Sequence, residues 1–196
     1  FIREMYHSFE SVADNREIRF VLDNELPETY KVCFDEAEIE KVFFNLLSNA
    51  FKFTPSEGQV TIRVNTVTQA ECELLPHFPA QYSSILIEAG YLFIEVIDTG
   101  KGFSEQEAEK IFEPFYRSQE DIHRQISGTG IGLSLTRSII LQHNGCIWTE
   151  SSETEGTRFM FLLPDTEKQE EGENESPVLS KSAEISKKFD LLVEET

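Results

Sequence analysis

The sequence predicts an α/β domain of ordinary size with a short appendage. Apolar residues recur at helical spacing over residues 36–53 and 133–143. Residues 60–68 alternate, and residues 91–97 are a dense run of apolar and β-branched residues, as in strands. The chain has 196 residues, of which 39% are hydrophobic and 16 are Phe. This is enough apolar material for one sizeable core.

The order of the elements follows from their boundary signals. Asp35 is placed to cap the first long helix, a Ser-Glu capping box begins at Ser104, and an Asn-Gly pair ends the last helix. The predicted elements are a helix end over residues 1–15, strands at 18–22 and 31–34, a helix at 36–53, a strand at 60–68, a long loop at 69–90, a strand at 91–97, a short helix after Ser104, a helix at 133–143, and strands at 146–150 and 157–163.

The charge balance excludes some classes of partner. The 36 acidic and 17 basic side chains give a formal net charge of −19. A nucleic-acid or anionic-membrane surface needs a positive patch, so neither partner is expected. A polyphosphate can still bind where local lysines, backbone N–H groups and a metal ion supply positive charge. The net charge therefore excludes little about small ligands.

Cysteine usage and hydropathy indicate a reducing, aqueous compartment. Cys33, Cys72 and Cys146 have neither zinc-site nor disulfide spacing, and we expect all three to be buried, reduced thiols. The sequence contains no signal peptide and no apolar run of the length that a membrane helix requires. We expect a cytoplasmic fragment. Because it begins without Met, we expect it to be cut from a longer, membrane-anchored chain.

Three polar residues lie along one stripe of the first long helix. Asn45, Asn49 and Lys52 follow one another at spacings of four and three residues, roughly opposite the apolar face. A carboxamide oxygen is suited to magnesium and a lysine to phosphate. The stripe alone is equally typical of a solvated helix face.

An acidic residue and two glycine-rich segments follow. Asp98 ends an apolar strand and begins the loop DTGKG, where its carboxylate can accept a hydrogen bond from an amino group; a tight Asp-x-Gly turn is the alternative. Residues 127–133 (SGTGIGL) lead into a helix and can turn backbone N–H groups toward an anion, whereas a flexible loop is the plainer interpretation. The run has neither the phosphate-loop lysine nor the dinucleotide-binding glycine spacing.

Taken together, these motifs resemble the catalytic domain of histidine kinases, in the GHKL or Bergerat-fold superfamily. The resemblance rests on NLLSNAFKFT (45–54), DTGKG (98–102), FEPF (112–115) and GTGIGL (128–133), in the order of that family's asparagine, first glycine, phenylalanine and second glycine boxes. Residues 155–159 (EGTRF) are similar to its final glycine box, although Thr154 stands where a first glycine is usual. The resemblance covers about residues 16–164. It implies a two-layer α/β sandwich, with a mixed, mostly antiparallel sheet and helices on one face.

The resemblance also implies ATP and Mg²⁺ as ligands, with a role for each matching residue. Asn49 would coordinate magnesium with Asn45 nearby, Lys52 would contact phosphate, Phe53 would flank the nucleotide, and Asp98 would bind the adenine amino group. The remaining implied ATP-binding residues are Gly100, Gly102, Arg117, Gly128, Thr129, Gly130, Ile131, Gly132, Leu133 and Thr157. Residues 102–128 would form a lid over ATP, anchored by Phe112 and Phe115.

Two departures from the family's patterns bear on the reaction. None of His7, His77, His123 and His143 has the setting of the phosphoacceptor, so we expect ordinary surface or core histidines and an acceptor on another domain. Related gyrase-type and chaperone-type ATPases have a Glu four residues before the magnesium-binding Asn, where this chain has Asn45. An amide cannot act as a general base, which favours phosphoryl transfer over hydrolysis.

The resemblance predicts three regions and a set of partners. Residues 1–15 would end an upstream helical linker, residues 16–164 would form the ATP-binding domain, and residues 165–196 would form an acidic tail. The end of that tail (189–195) resembles the first strand of a receiver domain, with an unstructured tail as the alternative. The expected partners are a dimerisation and phosphoacceptor hairpin and a response-regulator receiver, as in a two-component phosphorelay. A GHKL-type ATPase and a non-catalytic nucleotide-sensing domain are the alternative functions.

Overall fold

The computed structural model describes residues 1–84, 86–88, 90–118, 128–152 and 154–165, apart from the side chain of Glu105. Within them the helices and strands, in chain order, are α1 (Ile2–Arg16), β1 (Arg19–Asn24), α2 (Glu36–Phe53), β2 (Gln59–Thr68), α3 (Gln69–Cys72), β3 (Gly90–Asp98), α4 (Gly132–Gln142), β4 (Cys146–Ser152) and β5 (Gly156–Pro164). Short 3-10 turns occupy Ala80–Tyr82, Glu105–Glu107 and Lys110–Phe112.

The strands form one mixed sheet in the order β1-β2-β3-β5-β4. β1 and β2 are parallel, whereas the other three pairings are antiparallel. The predicted fold class is therefore confirmed. One predicted strand is wrong: residues 31–34 form no strand. Val32 and Phe34 pack against the core from an irregular segment, so their alternation reflects side-chain packing without strand pairing.

Helix α2 is the centre of the helical layer. The side chain of Asp35 accepts hydrogen bonds from the N–H groups of Ala37 and Glu38, which satisfies two donors at the helix start. The helix buries Ile39, Phe43 and five further apolar or aromatic side chains against the sheet. At the other end Thr54 is an extended C-cap followed by a proline, which stops the helix.

Strand β3 lies in the middle of the sheet and divides the core into two sides. Leu92, Ile94 and Val96 belong to the cluster shared with the helices, while Tyr91 and Phe93 belong to a second cluster on the opposite face. Side chains alternate along a strand, so Asp98 continues the row that faces the helices. The last residue of β3 is thereby directed toward α2 and away from the far face.

The far face of the sheet is partly covered by the segment between β2 and β3. The hydroxyl of Tyr82 donates to the carbonyl of Ile147 (3.1 Å), and the indole N–H of Trp148 donates to the carbonyl of Pro76 (3.0 Å). Helix α3 and the turn Ala80–Tyr82 therefore fasten this segment over β4. Within the stretch predicted to be a long loop (69–90), residues 69–84 form a compact cover for the second cluster.

The rest of the far face has a row of alternating charges across all five strands. Arg63 donates to Asp23 (3.0 Å) and to Glu95 (3.2 Å). Arg158 lies 3.6 Å from Glu95 and 3.8 Å from Glu150. Glu95 is the centre of this row, since its side chain is only 5% exposed and has an arginine on each side.

Two remaining expectations can be compared with the structure. Cys72 and Cys146 are buried, but Cys33 is exposed, so that part of the cysteine prediction is wrong. Cys33 lies in the irregular segment before α2, which offers no second layer to cover it. Among the described residues no helix has the length and apolar content needed to cross a membrane. The predicted tail from residue 166 onward lies outside the described residues.

Candidate functional site

The polar stripe of α2 faces helix α4. The amide of Asn45 donates to the hydroxyl of Thr136 in α4 (2.9 Å). The carboxamide of Asn45 also fills the space that a Cβ at Gly132 would need. Asn49 and Lys52 are half-exposed on the same stripe. The stripe thus lines a cleft between two helices, and Thr136 is a cleft residue that the sequence reasoning missed.

Asp98 closes one end of this cleft. It is 4% exposed, and its Oδ1 accepts a hydrogen bond from the N–H of Gly100 (2.8 Å). Burial raises the pKa of the carboxyl to about 6, against a smaller lowering by the N–H groups of Gly100 and Thr157. The predicted Asp-x-Gly turn is therefore present. It leaves a buried carboxylate with remaining acceptor capacity.

The neighbouring strand holds Asp98 in place. Thr157 pairs with Asp98 in the ladder between β3 and β5, and it is itself buried. Gly156 precedes it with a φ of +91°, and a Cβ there would overlap the carbonyl oxygen of Asp98. Only a glycine fits this approach without strain. The final glycine motif of the sequence therefore packs against the backbone of Asp98 from the neighbouring strand β5.

An aromatic ring with two lysines forms the middle of the cleft. Phe53 ends α2, and the ammonium groups of Lys52 and Lys101 lie 4.8 Å and 5.4 Å from the centre of its ring. A Cβ at Gly100 would come within 2.7 Å of the carbonyl oxygen of Phe53. The loop after β3 is thus packed closely against the end of α2. Lys101 is a further residue that the sequence reasoning did not assign.

The other end of the cleft is the glycine-rich start of α4. A Cβ at Gly128 would be 3.4 Å from Nζ of Lys52. Gly130 has a φ of +72°, and its carbonyl accepts a hydrogen bond from the N–H of Phe115 (2.8 Å). Ile131 occupies the N-cap position of α4 and has no polar side chain to cap it. Uncapped N–H groups at a helix start favour an anion.

The two phenylalanines expected to anchor the lid behave differently. Phe112 is buried, packs edge-on against Phe159 and lies beneath the guanidinium of Arg137. Phe115 is 73% exposed, so its predicted anchoring role is wrong. Its left-handed backbone conformation turns the side chain outward while its N–H bonds the glycine run. Arg117 is half-buried, and residues 119–127 of the expected lid lie outside the described residues.

The histidines have the structural settings expected of them where they are described. His7 and His77 are exposed beside glutamates. Nδ1 of His143 lies 2.8 Å from the carbonyl of Ile139, and its Nε2 accepts from the N–H of Asp35 (3.3 Å). Through these contacts the ring joins the end of α4 to the start of α2. His123 lies outside the described residues.

The cleft lacks a carboxylate-rich metal centre. Among the described residues, no group of three or more His, Cys, Asp or Glu side chains is arranged to hold a metal ion. The oxygen donors available on the stripe are the carboxamides of Asn45 and Asn49. Magnesium commonly uses few protein ligands and completes its shell with phosphate oxygens and water. These donors therefore fit a magnesium ion that arrives with a polyphosphate.

The fold and the cleft define a class of α/β sandwich in which an acidic strand end and a glycine-rich helix start lie on either side of an Asn-Lys stripe. A family model described as "Histidine kinase-, DNA gyrase B-, and HSP90-like ATPase" matches residues 34–167. This match covers more than half of the chain, and the chain belongs to this family of ATPase domains.

Similar proteins place the chain on the histidine kinase side of the family. Sensor histidine kinase WalK of Bacillus subtilis is 32% identical over 145 residues, which are 74% of this chain and 21% of WalK. Sensor kinase CckA of Brucella abortus is 36% identical over 162 residues, 83% of this chain and 16% of CckA. The predicted resemblance is confirmed. The chain spans about a fifth or less of the length of these two relatives.

Solved structures agree. The catalytic domain of histidine kinase ThkA is 29% identical with a TM-score of 0.64, covering 84% of this chain and 90% of that one. ThkA in complex with response regulator protein TrrA gives a TM-score of 0.61 at 28% identity, over 86% of this chain and 40% of that one. The predicted two-layer fold is that of a histidine kinase catalytic domain.

Proposed function

We propose that this domain binds ATP with Mg²⁺ in the cleft between α2 and α4 and presents it for phosphoryl transfer to a histidine on a separate helical hairpin. The observation that carries the proposal is the convergence on one cleft of Asp98, the Lys52 ammonium group and the glycine-rich start of α4. A buried acceptor at one end suits adenine. Positive charge at the other end, beside the N–H groups of a helix start that has no side-chain cap, suits phosphate.

At the adenine end, Asp98 would accept a hydrogen bond from the exocyclic amino group. Gly100 and Gly102 add no side chains of their own to the loop beside it, and Thr157 holds the carboxylate through its N–H group. Phe53 would flank the nucleotide where α2 ends. An amino-group donor is expected to prefer the ionised carboxylate, so recognition requires that Asp98 is deprotonated.

At the phosphate end, Lys52 would bind oxygens beside the glycine run. The backbone of residues 128–133 would supply N–H groups, and Arg117 would reach a phosphate from the lid. Asn49, with Asn45 beside it, would hold magnesium. When bound, the ion would neutralise charge on the β- and γ-phosphates. The domain would then orient the γ-phosphate and stabilise its developing charge. Attack by an imidazole needs no general base from the ATP-binding domain.

Asn45 favours transfer over hydrolysis. Its amide donates to Thr136 and is packed against Gly132, so this position holds a group that cannot activate water. A GHKL-type ATPase would need another base, and a purely nucleotide-sensing domain would bind without transfer. ThkA has been solved with response regulator protein TrrA, which supports a receiver domain as a further partner here.

Calorimetry tests nucleotide binding. The chain should bind ATP saturably in the presence of Mg²⁺, Asp98→Ala should abolish the adenine-dependent part, and Asn49→Ala should remove the dependence on magnesium. Asp14→Asn, an exposed site on α1, is the control. Absence of saturable binding by the wild-type chain would refute the proposal.

Labelled ATP tests the reaction. Mixed with the phosphoacceptor hairpin of the parent protein, the chain should place acid-labile phosphate on that hairpin. Steady phosphate release by the chain alone, lost in Asn49→Ala, would instead identify an ATPase. Tight binding with neither product would identify a nucleotide-sensing domain.

A further inference from the structure

Thr136 holds one end of the Asn45 side chain. Its hydroxyl accepts a hydrogen bond from Nδ2 of Asn45 (2.9 Å), and Thr136 is only 1% exposed. The bond joins α2 to α4 inside the cleft. Because Thr136 is buried, the amide nitrogen is the partner that the fold provides for this hydroxyl.

The other end of the carboxamide lies over Gly132. Oδ1 of Asn45 is the atom nearest to the position that a Cβ at Gly132 would take, whereas Nδ2 is 3.2 Å from that position. Thr136 follows Gly132 by one helical turn, so both lie on the same face of α4. The carboxamide therefore lies along α4, with its nitrogen toward Thr136 and its oxygen toward the glycine-rich start of the helix.

The direction of the carboxamide matters because its two ends have opposite chemistry. The nitrogen only donates hydrogen bonds, whereas the oxygen accepts them and is a hard ligand suited to magnesium. Rotation of the amide plane by about 180° would exchange the two ends with almost no change in shape. The bond to Thr136 engages the nitrogen, and this directs the oxygen to the end of the cleft where the phosphates are expected.

We propose that Thr136 is a positioning residue for the metal, whose hydroxyl fixes the Asn45 carboxamide so that its oxygen faces magnesium. This inference rests on the proposed function. It goes beyond that function because Thr136 would act on the metal only through Asn45. A bond that merely fastens α2 to α4 would instead affect ADP binding equally with and without the metal.

The test measures by calorimetry how much Mg²⁺ raises the affinity for ADP, as the ratio of the affinity with saturating Mg²⁺ to the affinity in EDTA. Thr136→Val keeps the shape of the side chain and removes the hydroxyl. We expect this ratio to fall roughly tenfold, as is common when a group that orients a metal ligand is lost. The ADP affinity in EDTA should stay within about twofold of wild type, and Thr136→Ser, which keeps the hydroxyl, should restore the ratio to within about threefold.

A second background tests whether orientation is the cause. In Asn45→Asp both ends of the side chain are oxygens, so rotation no longer changes the atom that faces the metal. Adding Thr136→Val to Asn45→Asp should therefore change the magnesium ratio by less than about twofold. The same tenfold loss in both backgrounds would show that Thr136 acts independently of the Asn45 amide, and it would overturn the inference.

Thr61→Val is the matched control. Thr61 is 7% exposed, and its hydroxyl accepts from the side-chain amide of Gln59 (3.0 Å), so the same kind of bond is removed. Thr61 alternates in β2 with Val60 and Ile62 of the helix-side cluster and so lies on the far face, and its loss should leave the magnesium ratio unchanged.

Two results with Thr136→Val would contradict the inference while leaving the proposed function intact. One is an unchanged magnesium ratio. The other is an equal loss of ADP affinity with Mg²⁺ and in EDTA, which would identify a purely structural bond. If the wild-type chain binds no ADP under either condition, the proposed function itself fails, and this inference fails with it.

Discussion

Asp98 is a buried acid whose charge is costly to the fold, and this makes a pH experiment decisive. Burial raises its pKa from 3.8 to about 6 in the folded chain. The folded state therefore holds a proton that the unfolded chain has already released between about pH 4 and pH 6. In this window the contribution of Asp98 to the free energy of unfolding falls as the pH rises, and above about pH 6 that contribution becomes constant.

The magnitude follows from the size of the shift. A difference of roughly two pKa units corresponds to about 3 kcal/mol of free energy of unfolding. Asp98→Asn keeps the shape of the side chain and an oxygen that can accept from Gly100, but it cannot ionise. We therefore expect the variant to gain about 2.5 kcal/mol relative to wild type as the pH rises from 4 to 7, because a small part of the full effect is already present at pH 4. If the substitution alters hydrogen bonds, the resulting loss should lower the free energy of unfolding of the variant by the same amount at every pH.

The measurement is urea unfolding of both proteins at half-unit intervals from pH 4 to 7.5. The informative quantity is the difference between the two free energies of unfolding, because the titrations of all other groups cancel in it. Asp14→Asn, at an exposed position of α1, should show no such trend. Parallel curves for wild type and Asp98→Asn would refute the buried, destabilised carboxylate. A difference of opposite slope would mean that the fold favours the charged form.

The other predictions concern the sheet, a glycine and the thiols. Glu95→Ala should lower the free energy of unfolding by about 3 kcal/mol in a urea titration, because it leaves two arginines facing each other in a partly buried row. Glu28→Ala, in an exposed pair, should cost less than about 1 kcal/mol. Equal effects of the two substitutions would contradict this prediction. Gly156→Ala should destabilise by about 2 kcal/mol or more because of its positive φ and the overlap with a carbonyl. Gly90→Ala, where the nearest atom to a new Cβ would be 3.7 Å away in ordinary contact, should stay within about 1 kcal/mol. Cys33 should react with a thiol reagent in the native protein, and the other two cysteines, whose pKa values are raised by burial, should react only on unfolding; a second fast thiol would be inconsistent with the fold.

The long helices and the central strand could be predicted because their signals are local. The cap at Asp35, the apolar spacing of residues 36–53 and the dense apolar run before Asp98 each specify their element without distant contacts. The cover formed by residues 69–84 could not be predicted in this way. Its hydrogen bonds to Ile147 and Trp148 join residues more than sixty positions apart, and its own local pattern is weak.

The residues of the site also fall into those with a local sequence signal and those that depend on distant contacts. Asp98 and the glycine run are visible in the sequence because strand ends and glycine repeats are local features. Thr136 and Lys101 become site residues only through packing, one against Asn45 and the other against Phe53. Phe115 shows the opposite error: the family resemblance implied an anchoring role for it, whereas its side chain is exposed and its backbone is left-handed.

The turn at Asp98 distinguishes a structural role from a functional one. An asparagine would accept the hydrogen bond from Gly100 and complete the same turn without a buried charge. The backbone N–H groups of Gly100 and Thr157 do not offset the burial, because the pKa still rises to about 6. Local structure therefore gives no reason for a carboxylate here. A ligand amino group does, since it would donate to the ionised acid in a dry site where such a bond is strong. Nucleotide binding should accordingly lower the pKa of Asp98, and ADP affinity should weaken as the pH falls below about 6.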